Sequence, residues 1–476
     1  MPTIKKSKIG LFGIGLDAYW NQFPDLLDRL LGYQSLIKKN LEKEHSLVVD
    51  AGMVDNVEKA KAAADLFRRE DVDMIFLYVS TYALSSTVLP VVQKIKVPVI
   101  ILNLQPTKAI DYKWFNGLGD RGLMTGEWLA NCQACSVPEI ASVFNRAGIS
   151  FNLITGFLDD KDAWGEIHEW IEASDVVKTM QNNRFGILGN YYGGMLDVYS
   201  DLTLQSVSFG THIEIIEMCE LKKLRDRVTQ EEIENKIKQI HSEFEVMPDC
   251  DKEEIKRAAK TSCALDKLVV AKQIGSLAYY YEGVEGNEYQ DIVTSIITGN
   301  SILTAQHVPV AGEMEVKNVQ AMKIMDCLNA GGSFSEFYGM DFAEDIVLMG
   351  HDGPGHLAIA EGKPRLKPLG VYHGKPGKGL SVEMKVKYGH ITALSVVQTP
   401  EGKLKLLVAE GKSVPGPILE IGNTNSRYKF SIGVKSFINN WSKEGPSHHC
   451  AIGIGHVASK IKKIGSLLNM EVIQVC

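Results

Sequence analysis

The chain has 476 residues, of which 45% are hydrophobic, 23% charged and 8% aromatic, and these fractions exclude wholesale disorder. Its 51 basic and 58 acidic side chains give a net charge of −7, which argues against nonspecific binding to nucleic acid or to anionic membranes. No apolar run approaches the roughly 20 residues of a membrane-spanning helix. The eight cysteines are scattered rather than dense, so we expect a soluble cytoplasmic protein with reduced thiols.

The first part of the chain alternates continuous apolar runs with segments of helical periodicity. The runs of strand length are 8–15, 45–52, 72–80 and 97–105. They predict a parallel sheet covered by helices on both faces, in a domain spanning 1–180. Because ligands of such sheets bind beyond the carboxyl ends of the strands, the segments 13–20 and 78–82 are candidate binding loops.

A second α/β domain is predicted over 181–328, where strand-like runs alternate with charged helices. The remaining domain, 329–476, changes character, because short strands with period-2 alternation follow one another from about residue 364. The segments KYGH (387–390) and PEG (400–402) read as hairpin turns. The expected fold class is therefore α/β, with two Rossmann- or flavodoxin-like parallel-sheet domains followed by an antiparallel, barrel-like β-rich domain.

Candidate metal ligands fall between residues 307 and 456, where eight of the twelve histidines lie. Four segments there combine carboxylates and histidines at strand ends or in loops: AGEMEVK (311–317), GGSFSEFYGMDF (331–342), GHDGPGHLAI (350–359) and EGPSHHCAIGIGH (444–456). Each segment is ambiguous alone. Glu313 and Glu315 could simply be carboxylates that stabilise the N-terminus of a helix through its dipole, and an adjacent pair such as His448 and His449 is often structural. Together, two carboxylates and two histidines suit an octahedral divalent ion such as Mn²⁺.

Other motifs carry weaker signals. Cys132-x-x-Cys135 has no second CxxC and lies in a predicted helix, so a redox or zinc role is disfavoured. Gly13-x-Gly15 resembles the start of a dinucleotide fingerprint but lacks its third glycine, which leaves a nicotinamide-dependent oxidoreductase as a poor alternative. The tyrosines 191, 192 and 199 are interpreted as packing residues or as platforms for sugar-ring stacking.

In their order and spacing, the four segments resemble the L-arabinose isomerase family of metal-dependent aldose–ketose isomerases. The motifs AGE-x-x-x-K, SF-x-E-x-Y, DIVL-x-GH and HH recur in sequence over the C-terminal third of the chain. Weaker similarity runs through the middle domain and the order of elements at the N-terminus. The ordered pattern of four motifs is specific, whereas each fragment alone is not.

The resemblance implies roles for five residues of the chain. It implies that Glu313, Glu336, His351 and His449 bind the metal ion, expected to be Mn²⁺ or another divalent cation such as Co²⁺ or Mg²⁺. It also implies that Glu313 and Glu336 form the catalytic acid/base pair and that His448 acts on the substrate. Which glutamate is the base stays open, and a metal-assisted hydride shift would need the same ligands.

The resemblance also suggests which residues line the substrate. Glu315 matches a family position that is usually aspartate and lies near the substrate. The family places a histidine, donated by a neighbouring subunit, where this chain has Cys135. The segment GLDAYWNQFP (15–24), with Asp17, Tyr19 and Trp20, looks more like fucose-isomerase-type relatives. These departures concern the substrate wall of the N-terminal domain and argue against L-arabinose as the substrate.

We therefore expect a metal-dependent isomerase that interconverts an open-chain pentose or deoxyhexose-type aldose and its 2-ketose through a cis-enediolate. The resemblance further implies a homo-oligomer, either a trimer or a hexamer, because the family shares its active sites between subunits. The alternative is a sugar-binding or regulatory protein with the same fold and no turnover. The paired carboxylates argue against it, since binding alone does not need two carboxylates at a metal.

Overall fold

The apolar runs near the N-terminus form one parallel sheet within the first of two compact units. The computed structural model describes residues 4–43, 47–284, 286–372 and 375–476. The smaller unit is Lys5–Lys178, and the larger contains Thr179–Cys476.

The smaller unit contains five strands in the order β2-β1-β3-β4-β5, all of them parallel. They are β1 Lys8–Ile14, β2 Leu47–Val54, β3 Met74–Val79, β4 Val99–Gln105 and β5 Phe151–Phe157. The helices are α1 Leu26–Lys43, α2 Val57–Glu70, α3 Ser85–Val92, α4 Tyr112–Gly117, α5 Arg121–Ala130, α6 Gln133–Ala147 and α7 Lys161–Gln181. Every residue of β3 is buried, as expected for a central strand covered on both faces.

The larger unit begins with a second parallel sheet, in the order β10-β9-β6-β7. Its strands are β6 Arg184–Gly189, β7 His212–Ile216, β9 Ser276–Tyr280 and β10 Val310–Ala311. Its helices are α8 Leu202–Phe209, α9 Met218–Asp226, α10 Gln230–Glu243, α11 Lys252–Lys272, α12 Tyr289–Val293, α13 Ile297–Ala305 and α14 Val316–Cys327. All residues of α14 are buried, including two lysines, so this helix lies in the interior of the unit.

A closed antiparallel barrel follows α14 in the chain. Its six strands are β11 Gly331–Asp341, β12 Ile346–His351, β17 Gly389–Gln398, β18 Leu404–Ser413, β19 Thr424–Phe430 and β20 His449–Ile454. The order β17-β20-β11-β12-β19-β18 is closed by pairing between β17 and β18. Strand β21, Glu471–Gln474, adds to β18 in parallel, and the helices are α15 Val434–Lys443 and α16 Ala458–Leu468. The α14 helix contacts β11, β17 and β20, so it packs against this barrel.

Shorter strands lie outside the barrel. Strands β16 (Leu380–Glu383), β13 (Arg365–Pro368) and β8 (Glu245–Val246) form a three-stranded sheet, and β14 (Val371–Tyr372) pairs with β15 (Lys375–Pro376). The PEG turn joins β17 and β18 as a hairpin, as predicted. The prediction for KYGH is wrong, because this segment connects two different sheets: β16 pairs with β13, whereas β17 belongs to the barrel.

The predicted fold class is confirmed, since two parallel α/β sheets precede an antiparallel barrel. One hydrophobic cluster includes residues of both the second parallel sheet and the barrel, such as Leu277 and Ile391. The division at 180 and 328 into three domains stays a prediction. Among the described residues, no helix is both long and apolar enough to cross a bilayer.

Candidate metal centre

Glu313 is presented by a strained turn between β10 and α14. Both Glu313 and Met314 adopt left-handed backbone conformations, with φ of 56° and 58°. Such conformations are uncommon for residues other than glycine and cluster at functional sites. The turn is held by the Met314 N–H, which donates to the Tyr279 carbonyl of β9 at 3.0 Å. The strain is therefore located at the residue that carries the candidate carboxylate.

Three adjacent barrel strands bring the other candidate ligands to one place. On β11, Glu336 lies opposite His449 of β20 and opposite Gly350 of β12, the residue before His351. Because directly opposed residues of antiparallel strands share a face of the sheet, Glu336 and His449 lie side by side. The Phe334 ring packs against both histidine rings, with centroid distances of 4.2 Å to His351 and 4.4 Å to His449.

The Glu313 carboxylate faces three histidines. The distance from Glu313 Oε2 is 3.3 Å to His449 Nε2 and 3.5 Å to His448 Nε2. His351 Nε2 lies 3.8 Å from Glu313 Oε1 and 3.3 Å from His449 Nε2. All three imidazoles therefore direct the same ring atom toward one carboxylate.

The opposite ring nitrogens of the two buried histidines are held by oxygen atoms. His351 Nδ1 lies 3.0 Å from the Asp352 carbonyl oxygen, and His449 Nδ1 lies 3.4 Å from Glu315 Oε2. Because a carbonyl oxygen only accepts, the proton of neutral His351 is on Nδ1, which leaves the Nε2 lone pair free for an ion. Metal-binding histidines in proteins are usually held in this way.

His448 is held by a third oxygen, from Asp197 in the loop between β6 and α8. Asp197 Oδ2 lies 2.6 Å from His448 Nδ1 and also accepts the His448 backbone N–H at 3.0 Å. Burial alone would lower the pKa of His448, but Glu313 and Asp197 raise it to about 9. His448 is therefore a cation between two carboxylates when no ion is bound.

The histidines around Glu313 and the burial of its carboxyl group have opposite effects on the pKa of that group. Burial would raise the pKa of this carboxyl group, but His448, His351 and His449 lower it to about 2. Burial lowers the pKa of His351, although the charges of Glu313 and Glu336 oppose that shift. The ionised Glu313 carboxylate next to the imidazole of His351, whose pKa is lowered, is a favourable pair of donors for a cation.

The geometry fits a divalent ion. Glu313 Oε2 is buried and has no hydrogen-bond partner among the described residues, so this oxygen is available as a ligand for a cation. Glu313, His448 and His449 offer ligand atoms that all lie within 4.8 Å of one another. Oxygen and imidazole donors without thiolates suit Mn²⁺ or a similar ion better than structural zinc.

The predicted substrate-wall residues lie in the smaller unit. Asp17 is exposed and starts a short 3₁₀ helix, Asp17–Tyr19, after β1. Trp20 is half-buried, and its indole N–H donates to Asp55 Oδ2 at 2.9 Å. Burial raises the pKa of Tyr19, with smaller contributions in the same direction from Tyr82, Cys132 and Cys135.

Cys135 lies in the first turn of α6 and is exposed, whereas Cys132, the N-cap residue of α6, is buried. Burial and a hydrogen bond with Cys135 raise the pKa of Cys132 to about 12, which makes its thiol unreactive near neutral pH. The two sulfurs are thus adjacent. The assignment of Cys135, Asp17, Tyr19 and Trp20 to a substrate wall stays a prediction.

Two further residues of this centre were not predicted. Asp197 holds His448, and Lys317 lies 3.6 Å from Glu315 Oε1 and donates to the Asp197 carbonyl. Lys317 is the lysine of the AGE-x-x-x-K motif, so a signal for it was present. Asp197 follows β6 at the carboxyl end of a parallel strand, where binding loops are expected, but nothing in its local sequence distinguishes it.

Comparison with known proteins identifies related chains. Residues 331–471 match the family described as the L-arabinose isomerase C-terminal domain. A sulfoquinovose isomerase from Alkalicoccus urumqiensis is 23% identical over 335 residues, covering 68% of this chain and 72% of that protein. An L-arabinose isomerase from Cellvibrio japonicus is 21% identical, covering 71% and 69%. Another from Clostridium beijerinckii is 19% identical and covers 84% of both chains.

These relatives confirm the predicted enzyme class, that of the sugar isomerases. The predicted resemblance is confirmed as well: residues 331–471 match the L-arabinose isomerase C-terminal domain, and relatives named as L-arabinose isomerases are similar at 18–21% identity over 71–84% of the chain. The glutamates and histidines of the candidate centre include residues both within that domain and before it.

Proposed function

We propose that this protein is a metal-dependent aldose–ketose isomerase that moves the carbonyl of an open-chain sugar between C1 and C2. The observation that carries the proposal is the convergence of three histidine Nε2 atoms on the Glu313 carboxylate, whose buried Oε2 has no other partner among the described residues. Paired carboxylates flanking a cation suit proton transfer between neighbouring carbons. The relatives named as sugar isomerases support the same chemistry.

In this mechanism Glu313, Glu336, His351 and His449 would hold the ion, and Glu313 and Glu336 share the proton transfers. One carboxylate takes the proton from C2 and returns it to C1, while the other group moves the hydroxyl proton from O2 to O1, through a cis-enediolate. His448, held by Asp197 and facing Glu313, contacts the reacting oxygens of the sugar. When bound, the divalent ion would stabilise the negative charge that develops on the two neighbouring oxygens. We propose Mn²⁺, with Co²⁺ and Mg²⁺ as substitutes.

The proposed substrate is a pentose or a deoxyhexose-type aldose. Cys135 and the segment 15–24 depart from the family pattern on the proposed substrate wall, which disfavours L-arabinose. One relative is named for sulfoquinovose, so that sugar belongs in the substrate panel together with pentoses and deoxyhexoses. We also propose a cytoplasmic homo-oligomer, a trimer or hexamer, as the family resemblance implies.

The deciding experiment combines metal analysis with isotope exchange. The purified protein is stripped with a chelator, reloaded with Mn²⁺ and incubated with each sugar in deuterated water. Ketose should form only with the ion, and deuterium should appear at C2 of recovered aldose if the enediolate route operates. Glu313→Gln and Glu336→Gln should each lower turnover by about 10²–10⁴-fold, because each removes a proton-transfer group. Glu420→Gln, in an exposed loop, is the matched control.

The outcomes separate the isomerase from a binding protein. If no aldose of the panel is converted, and Glu313→Gln leaves sugar binding unchanged, the protein is a sugar-binding module with an isomerase fold. Conversion without deuterium uptake would keep the isomerase assignment and leave two routes open, a hydride shift between C1 and C2 or a proton transfer shielded from solvent.

A further inference from the structure

The adjacent histidines 448 and 449 face the same carboxylate oxygen but are held from behind by different acidic residues. Glu315 Oε2 lies 3.4 Å from His449 Nδ1, and Asp197 Oδ2 lies 2.6 Å from His448 Nδ1. Neighbouring residues of a strand normally point to opposite faces. Strand β20 begins only at His449, so His448 precedes the strand and can turn its ring to the same side.

The two carboxylate–histidine pairs have different environments. The side chains of His449 and Glu315 are both 0% exposed, whereas those of His448 and Asp197 are 37% and 41% exposed. A buried carboxylate needs a counter-charge, and Lys317, only 4% exposed, supplies it at 3.6 Å from Glu315. The first pair is thus enclosed and neutralised by protein, while the second is open to water and small molecules.

Asp197 restrains His448 more completely than a single contact would. Its Oδ2 accepts both the backbone N–H and the ring nitrogen of His448, which fixes the ring relative to its own backbone. The Asp197 carbonyl also accepts a hydrogen bond from Lys317 Nζ, so the loop between β6 and α8 is tied to α14. Asp197 therefore holds His448 through its side chain. Through its carbonyl it also binds Lys317, which in turn lies beside Glu315, the residue that contacts His449.

We propose that Glu315 and Asp197 are positioning residues that give the two histidines separate roles, Glu315 holding His449 as a metal ligand and Asp197 holding His448 toward the sugar. This inference rests on the proposed function and deepens it. Residues that orient a metal-binding histidine typically contribute 10–100-fold to metal affinity. Glu315 should therefore act on the ion, and Asp197 on the sugar and on turnover.

The test compares Glu315→Gln and Asp197→Asn in the full-length protein by two equilibrium measurements and by kinetics. Free Mn²⁺ is followed by electron paramagnetic resonance to obtain its Kd. Binding of an unreactive alditol to the Mn²⁺-loaded protein is followed by calorimetry. The matched control is Asp201→Asn, because Asp201 lies in the same loop and lines the same surface cavity but caps α8, a role that asparagine can keep.

We expect Glu315→Gln to weaken Mn²⁺ binding about 10–100-fold, and Asp197→Asn to change the Kd of Mn²⁺ less than about threefold. Asp197→Asn should weaken alditol binding and lower kcat by about 10-fold or more, and the control should change neither. Melting temperatures without metal check the fold, and Glu315→Asp replaces Glu315→Gln if the latter does not fold. The proposal is overturned if both variants weaken Mn²⁺ binding equally, or if Asp197→Asn leaves alditol binding and kcat unchanged. A protein that shows this pattern of binding but converts no sugar would refute the isomerase and leave the positioning roles standing.

Discussion

Glu315 is the N-cap residue of α14, yet its side chain makes no capping hydrogen bond. Aspartate is a favoured N-cap residue because its short side chain reaches the first backbone N–H groups of the helix. The longer glutamate instead reaches between His449 and Lys317. At this position the side chain therefore contacts a candidate metal ligand instead of capping the helix.

His356 is a buried residue outside the candidate centre, and it makes the fold sensitive to acid. Its ring is 3% exposed, and neither ring nitrogen has a hydrogen-bond partner among the described residues. Burial lowers its pKa to about 4, with smaller and opposite effects from Asp326 and His307. The unfolded chain binds the proton near pH 6.5, so between pH 6.5 and 4 the unfolded state holds more protons and stability falls with falling pH.

We predict that His356→Phe removes part of this acid sensitivity. The group contributes roughly 3 kcal/mol to the loss of the free energy of unfolding between pH 7 and 4, from a shift of about two and a half pKa units. Urea unfolding at both pH values, in the presence of a chelator, measures this loss for each protein. An equal loss in wild type and variant would show that His356 is not the group responsible.

At the scale of elements, the close packing of β12 between β11 and β19 fixes the position of His351. A Cβ at Gly350 would lie 1.9 Å from the Thr424 carbonyl oxygen of β19, too close for any side chain unless the backbone moves. Gly350 directly precedes His351 and lies opposite Glu336. Its lack of a side chain therefore permits the strand spacing on which the candidate centre depends.

We predict that Gly350→Ala forces β12 and β19 apart, lowers stability by about 1–3 kcal/mol and weakens Mn²⁺ binding by displacing His351. Gly339→Ala is the matched control, because Gly339 lies on the paired strand β11 and a Cβ there meets no atom within 4 Å. Thermal melting and Mn²⁺ titration measure the two effects. If Gly350→Ala is less stable but binds Mn²⁺ with unchanged affinity, the metal site does not depend on the spacing between β12 and β19, and the prediction is wrong.

Local patterns predicted most elements of this fold but not how all of them pair. The apolar runs near the N-terminus became β1 to β4, since continuous apolar strands are typical of buried parallel sheets. The alternating strands on either side of the PEG turn became the hairpin of β17 and β18. The predicted hairpin at KYGH is wrong because β16 pairs with β13. Tertiary contacts determine this pairing, and a turn between two neighbouring strands does not reveal it.

Only those residues of the candidate centre that lie within the sequence motifs could be predicted from the sequence. Glu313, His351, His448 and His449 lie in three of the four short segments whose order signals a family, and the structure brings their side chains together. Asp197 lies 251 residues from His448 in sequence. The sequence of its loop suggested only packing or stacking roles for the tyrosines and gave no signal for the aspartate. A contact over such a separation depends on how the loop after β6 folds against the barrel, which one sequence does not reveal.

At the scale of the whole molecule, the smaller unit exposes a group of large apolar side chains that lie close together in sequence. Five of them, one just before α4 and the others within α4 and α5, are each more than half exposed: Ile110, Tyr112, Trp114, Leu123 and Trp128. Exposed apolar clusters of this kind typically mark interaction surfaces. They support the proposed self-association of the chain without deciding between a trimer and a hexamer.

We predict that light scattering after size exclusion gives three or six times the 52.6 kDa mass of the chain. Trp114→Glu and Leu123→Glu should shift the protein toward smaller species, because a charge buried in an apolar interface without a partner is costly. Val270→Glu is the control, since Val270 is even more exposed than Trp114 and Leu123 but lies on α11 of the larger unit. A monomeric wild type would refute the oligomer. An intact oligomer in both variants would place the contact between subunits on another surface of the chain.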